Sequence, residues 1–169
     1  LNGKAVLGVD TGAATGAWAA ISGTEGVIAL GDLPTHKIAL STGRLRVEFD
    51  PHGFAQVVRE LRPRHAMVET VHGMPRQGVA STFRLGYSAG ALYGVLATLE
   101  IPVTFCTPQK WQGHHHIQRG PDDAVKRALQ LFPSLHSQLA RKRDNHRADA
   151  ILIASYGLAV LAQQERTAA

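Results

Sequence analysis

Lys4-Ala5-Val6-Leu7-Gly8-Val9-Asp10-Thr11-Gly12-Ala13-Ala14-Thr15-Gly16-Ala17-Trp18 is the stretch around which the chain is organised. Apolar residues fill 5–9, interrupted only by Gly8, which is the pattern of a strand buried on both faces and central in a sheet. The strand ends in a carboxylate, Thr11-Gly12 turns the chain, and a second β-like run returns at 16–22. A carboxylate at the end of a central apolar strand is costly unless something pairs with it. Gly12 and Gly16 keep side chains clear of Asp10, which leaves room for a bulky anion. A metal ion lodged between carboxylate and phosphate meets both conditions.

The 169 residues suit a single domain, 1–169, and no repeat or low-complexity block argues for more. A formal charge of +5 and a pI near 9.8 favour an anionic partner, with nucleic acid the first expectation. Between Thr70 and Gly120 the only acid is Glu100, set against Arg76, Arg84, Lys110 and Arg119. Arg141-Lys142-Arg143, with Arg147, forms a second basic block. A single cysteine, Cys106, excludes an internal disulfide framework and fits a reducing compartment. No signal peptide is legible, and the most apolar helical run, 85–99, falls short of the roughly 20 residues a membrane span needs. The chain is therefore expected to be cytoplasmic, with no membrane partner.

Strands at about 4–10, 16–22 and 26–30 open the chain, followed by a polar, irregular stretch at 33–49 with a short strand pair around Ser41-Thr42-Gly43. Asp50-Pro51 is a helix start, Asp as N-cap and Pro at the first helical position, and Pro63 ends that helix. A short strand follows at 65–68 and finishes in Glu69. The longest helix is expected at 79–99, with Gly86, Gly90 and Gly94 as a small-residue stripe on one face. Each interior Gly costs about 1 kcal/mol relative to Ala, so close packing is expected there, either within the chain or at a dimer seam. A strand at 101–106, a loop at 109–120, a helix at about 121–132 and a last helix from about 145 to 163 complete an α/β pattern.

Asp10 ends the first strand, Glu69 ends the strand after the first helix, and His146 and Asp149 open the last helix three residues apart, on one face. If the first two strands are parallel neighbours, both carboxylates emerge at one sheet edge, where open α/β sheets place their sites. Carboxylate oxygens suit Mg²⁺, and imidazole is better tolerated by Mn²⁺. Two such ions about 3.5–4 Å apart activate water and stabilise the leaving oxygen of a phosphodiester. Taken singly, Asp10 reads as a turn residue, Glu69 as a surface acid and Asp149 as half of a salt bridge. The order and spacing of all four argue for a site.

Val9-Asp10-Thr11-Gly12 with Thr15-Gly16, Val68-Glu69, and His146-Arg147-Ala148-Asp149 through Ala154 resemble the three signatures of RuvC-type Holliday-junction resolvases, within the RNase H-like superfamily. The tail from Lys142 to Gly157 is similar to the phage-encoded and prophage-encoded branch. The resemblance covers nearly the whole chain. It implies an RNase H-like mixed sheet of about five strands flanked by helices, and a homodimer that cuts four-way DNA junctions with two Mg²⁺ or Mn²⁺ ions per active site. The implied catalytic and metal-ligating residues are Asp10, Glu69, His146 and Asp149. The third member is Asp in many relatives and His in some. Lys126 falls where relatives carry a basic residue near the site.

Lys110 and Trp111 form a basic-plus-aromatic pair suited to a phosphate and a base, with a buried Trp as the alternative. His114, His115 and His116 diverge in direction and lack a partner cluster, so they read as flexible, solvated side chains. Arg76, Arg84, Arg119, Arg141, Lys142 and Arg143 are candidate DNA contacts. An RNase H-like nuclease acting on RNA or other branched DNA, and a junction-binding protein without cleavage, are the alternatives to a resolvase. A sugar-kinase or actin-like ATPase needs two lobes, for which the chain is too short, and no P-loop is present.

Overall fold

The computed structural model describes residues 4–73, 76–118, 120 and 122–168. Its first strand, β1 (Val6–Asp10), is buried at every position, as its unbroken apolar run requires. Strands β2 (Ala17–Ser22) and β3 (Gly26–Asp32) follow as an antiparallel meander. Residues 33–49 are more regular than their sequence suggests. They form a separate antiparallel hairpin of β4 (Thr35–Ala39) and β5 (Leu45–Phe49), whose tip is the expected turn at 41–43. Helix α1 (Pro51–Leu61) starts as read: Asp50 Oδ1 accepts from the His52 N–H, and Pro51 takes the first turn.

Strand β6 (His65–Glu69) lies parallel to β1, with Val68 opposite Val9. Helix α2 (Val79–Thr98) leads to β7 (Val103–Cys106), parallel to β6. The sheet order is β3-β2-β1-β6-β7, a mixed five-stranded sheet flanked by helices. The expected loop at 109–120 begins as a helix, α3 (Pro108–His114), started by a proline in its first turn. Helix α4 (Asp123–Leu131) follows, and two 3₁₀ segments (Pro133–Gln138 and Lys142–Asp144) lead into α5 (Asn145–Ala168). At 24 residues α5, not the 20-residue α2, is the longest helix described. No described helix is long and apolar enough to cross a membrane.

The period of two along β1 sorts the core into two layers. Leu7 and Val9 face α1 and α2, where Phe54, Val58, Leu92 and Leu96 bury against them. Val6 and Met67 face α5, with Ile151, Leu152 and Ala154. Gly8 falls on this second face, and a Cβ there would stand 2.3 Å from the Ala150 carbonyl oxygen and 2.4 Å from the Ala154 N. The interruption in the apolar run is thus the place where α5 crosses the sheet centre at backbone contact. Asp10 shares the parity of Val6 and Gly8, and Glu69 that of Met67. Both carboxylates are therefore directed to the α5 side of the sheet.

The glycine stripe of α2 is not packed against the sheet or another helix. A Cβ at Gly86, Gly90 or Gly94 would meet nothing within 4 Å among the described atoms. Gly12 and Gly16 also serve a different purpose from the open approach first read for them. A Cβ at Gly12 would collide with the Thr15 carbonyl, and Gly16, at φ +127°, lies 2.5 Å by the same measure from the Asp10 carbonyl oxygen. Both glycines close the β1–β2 loop on itself.

Candidate active site

The end of β1, the end of β6 and the first turn of α5 meet at one edge of the sheet. Ligand atoms of Asp10, His146 and Asp149 lie within 4.8 Å of one another, a spacing one metal ion can bridge. His146 Nδ1 and Asp10 Oδ2 are 2.6 Å apart. In the protonated imidazole Nδ1–H donates to the carboxylate, and this hydrogen bond raises the His146 pKa. Glu69 stands just outside the trio. The Trp111 indole N–H donates to its Oε1 at 2.8 Å and fixes the carboxyl from the α3 side.

The charges explain the electrostatics of the cluster. Burial pushes Glu69 up to about 7; the Trp111 hydrogen bond works against this and the Asp10 charge adds to it. Asp149 is pushed up to about 8, first by burial and then by the negative charges of Asp10 and Glu69. Three acids crowded into a half-dry site resist full ionisation unless a cation joins them. Oxygen donors with one imidazole, mutually repelling and within reach of one another, fit a divalent ion.

The entrance to α5 has its own support. Asp144 is fully buried and closes a reciprocal cap with Arg141, accepting from its backbone N–H at 2.8 Å and its Nη2 at 2.7 Å. Arg147, one residue beyond His146, donates through Nε to Asp32 at the end of β3 at 2.6 Å. It also lies 3.9 Å from Asp144. Asp144 is thus more than a helix N-cap: it ties the turn before α5 to the turn that carries His146. Sequence reading missed this bracket, although the Arg-Lys-Arg-Asp run held the two ends of its local pair.

The other candidates separate by what they touch. Trp111 is 2% exposed and spends its N–H on Glu69, so it offers no ring face to a base; this corrects the stacking role. Lys110, on α3, is exposed. Arg84 donates to the Val47 carbonyl at 3.0 Å and so braces α2 against the hairpin. Lys126 pairs with Asp123 at 3.3 Å, and Arg141 is held by Asp144. Arg76, Lys142 and Arg143 are exposed, the last two on the 3₁₀ turn that leads into the site. Arg119 lies outside the described residues.

The three histidines are not uniformly solvated. His115 is 4% exposed, and burial lowers its pKa to about 4. It is therefore neutral at pH 7, with Nε2–H donating to the Leu152 carbonyl of α5 at 2.9 Å. His114 packs its ring on Tyr156. The run thus pins α3 to α5 rather than holding a metal.

No protein-family model and no curated protein matches the chain. Solved structures do. Thermus thermophilus RuvC in complex with a Holliday junction superposes with a TM-score of 0.66 at 18% identity, covering 90% of this chain and 91% of that one. The fowlpox virus resolvase, in complex with substrate Holliday junction DNA, gives 0.56 at 14% identity over 88% and 94%. The yeast mitochondrial Holliday junction resolvase gives 0.52 at 13% identity over 89% and 76%. These matches show that the chain has the RNase H-like fold of RuvC-type Holliday junction resolvases.

Proposed function

We propose that this protein is a metal-dependent endonuclease that cuts four-way DNA junctions. The observation that carries the reading is the convergence of Asp10, Glu69, His146 and Asp149 from three separate elements onto one sheet edge of a resolvase fold. These four residues would hold two divalent ions, Mg²⁺ or Mn²⁺. The chemistry such ions supply is activation of a water and stabilisation of the leaving oxygen of a phosphodiester. The chain's own part is to pre-place the ligands. The Arg141–Asp144 cap fixes the turn carrying His146, and Trp111 fixes one Glu69 oxygen. The exposed cations Lys110, Lys142 and Arg143, with Arg76, would bind the DNA backbone. Arg119 and Lys126 stay with them as candidates, the latter after exchanging Asp123 for a phosphate. The kinship to the phage-encoded branch rests on the tail sequence alone.

Symmetric cutting of a two-fold substrate calls for a C₂ homodimer. Support comes from α2, where Val79, Phe83 and Tyr87 are 87%, 74% and 64% exposed along the face that carries the open glycines. A contiguous apolar face of this kind is the mark of an interaction surface. Beside it, a cavity of about 670 Å³ between β5 and α2 offers room for an aromatic side chain of a second copy.

The deciding experiment incubates the protein with labelled four-way junction, duplex and RNA, each with Mg²⁺ and with Mn²⁺, alongside Asp10→Asn. Paired cuts in the junction, lost in Asp10→Asn while junction binding remains and falls steeply with salt, are the expected result. Preferential cutting of RNA or of other branched DNA would move the substrate within the fold. Binding without cutting by the wild type would leave a junction-binding protein.

A further inference from the structure

Bordering Asp149 on the side away from Asp10's strand is a second cavity, of about 470 Å³, between α3, α4 and the start of α5. It is of the size that holds a small organic ligand. Four neutral amide side chains line it: Gln109, Gln112, Gln118 and Asn145. Among the described residues none of the four has an intramolecular side-chain hydrogen bond. The half-buried Gln112 and Asn145 are the costly members, because polar groups withdrawn from water want partners.

We infer that this cavity is a nucleobase subsite that receives a base flanking the scissile phosphate and reads its identity. The inference rests on the nuclease reading above. Position supports it: Asp149 belongs to both the metal-ligating cluster and the cavity wall, so an occupant adjoins the reacting phosphate. Chemistry supports it as well. An amide offers one donor and one acceptor side by side, the pairing that matches base edges. The lining carries no cation, and the carboxylates of Asp122 and Asp123 stand on it. A second phosphate is therefore repelled, whereas exocyclic amino groups find acceptors. Ile117 and Ala124 supply apolar contact for a ring. A base enters such a pocket only after leaving its stack, and the cost is least where stacking is already interrupted, as at a branch point. The pocket thus links recognition of branched DNA to recognition of sequence.

The test uses the full chain and two arms. In the first, four-way junctions carrying each of the four bases on either side of the crossover are cut by wild type, by Gln112→Ala/Gln118→Ala and by Asn145→Ala. Wild-type rates are expected to spread at least tenfold between best and worst base, and the variants to compress that spread to threefold or less. In the second, without cleavage, 2-aminopurine at the same positions reports unstacking on binding in EDTA. The signal is expected with wild type and lost with the double variant, with circular dichroism confirming the fold of each protein. Wild type that cuts without base preference, or variants that keep both preference and signal, overturn the subsite. Wild type that binds but never cuts overturns the nuclease reading, and the fluorescence arm then decides the pocket. Wild type that binds no nucleic acid overturns both.

Discussion

Asp144 and His146 sit two residues apart and do different work. Asp144 has no exposure, and its hydrogen bonds from Arg141 hold its carboxyl below the usual range, so it stays ionised as a cap. Hydrogen bonds to a charged group are worth about 1.5–3 kcal/mol, and loss of this one strands a buried N–H. Asp144→Ala is therefore expected to cost about 2 kcal/mol or more by urea denaturation, above the roughly 1 kcal/mol of a simple N-cap, with cleavage retained in the folded fraction. His146→Ala should fold normally and lose most cleavage, whereas His146→Asp keeps cleavage and shifts its preference toward Mg²⁺. A dead Asp144→Ala beside an active His146→Ala would reverse the two assignments. Trp111→Phe keeps most of the buried ring and deletes only the N–H that holds Glu69. A several-fold rise in the Mn²⁺ concentration for half-maximal cleavage is expected, with weaker Mn²⁺ binding by calorimetry. Unchanged metal dependence would make that bond purely structural.

At the scale of elements, α2 and α5 show opposite uses of small residues. On α5, Ala150, Ala154 and Gly157 let the helix lie on the sheet at Gly8 and Val6. On α2, three glycines face open space beside Phe83 and Tyr87. Phe83→Arg is expected to leave the fold intact, since the ring is mostly exposed, and to yield monomers by sedimentation that no longer make paired cuts. Wild type that is monomeric yet still makes paired cuts would refute the seam. The spacing of Gly86, Gly90 and Gly94 revealed a face but not what covers it, because periodicity carries no tertiary partner. Elements set by local chemistry were legible: the apolar run of β1, the Asp50-Pro51 start of α1, the His146–Asp149 face of α5. The β4–β5 hairpin was not, since its strands are largely exposed and lack a clean alternation. Nor was the Trp111–Glu69 bond, which joins residues 42 apart, or the burial of His115, which depends on a carbonyl of α5.

For the whole molecule, the crowded site makes stability and metal binding share protons. Asp149 and Glu69, at about 8 and about 7 in the fold, lie well above ordinary carboxylates, and His146 lies above its usual 6.5. Each binds protons more tightly folded than unfolded, so each contributes stability at low pH that is lost as pH rises through its folded value. His115, lowered to about 4, acts oppositely, but its gain is complete once pH passes the unfolded value near 6.5. Asp144 and Asp50, both lowered, have likewise delivered their stability well below neutrality. Between about pH 6.5 and 8.5 the raised groups act alone among these, and the metal-free protein should lose thermal stability across that window. A dication that replaces those protons binds more tightly as they leave. The rise in Tm on adding Mn²⁺ is therefore expected to be larger at pH 8 than at pH 6, measured by differential scanning calorimetry with and without EDTA. A metal-free Tm that climbs from 6.5 to 8.5, or an Mn²⁺ increment independent of pH, would show that these acids are not coupled in the way their placement requires.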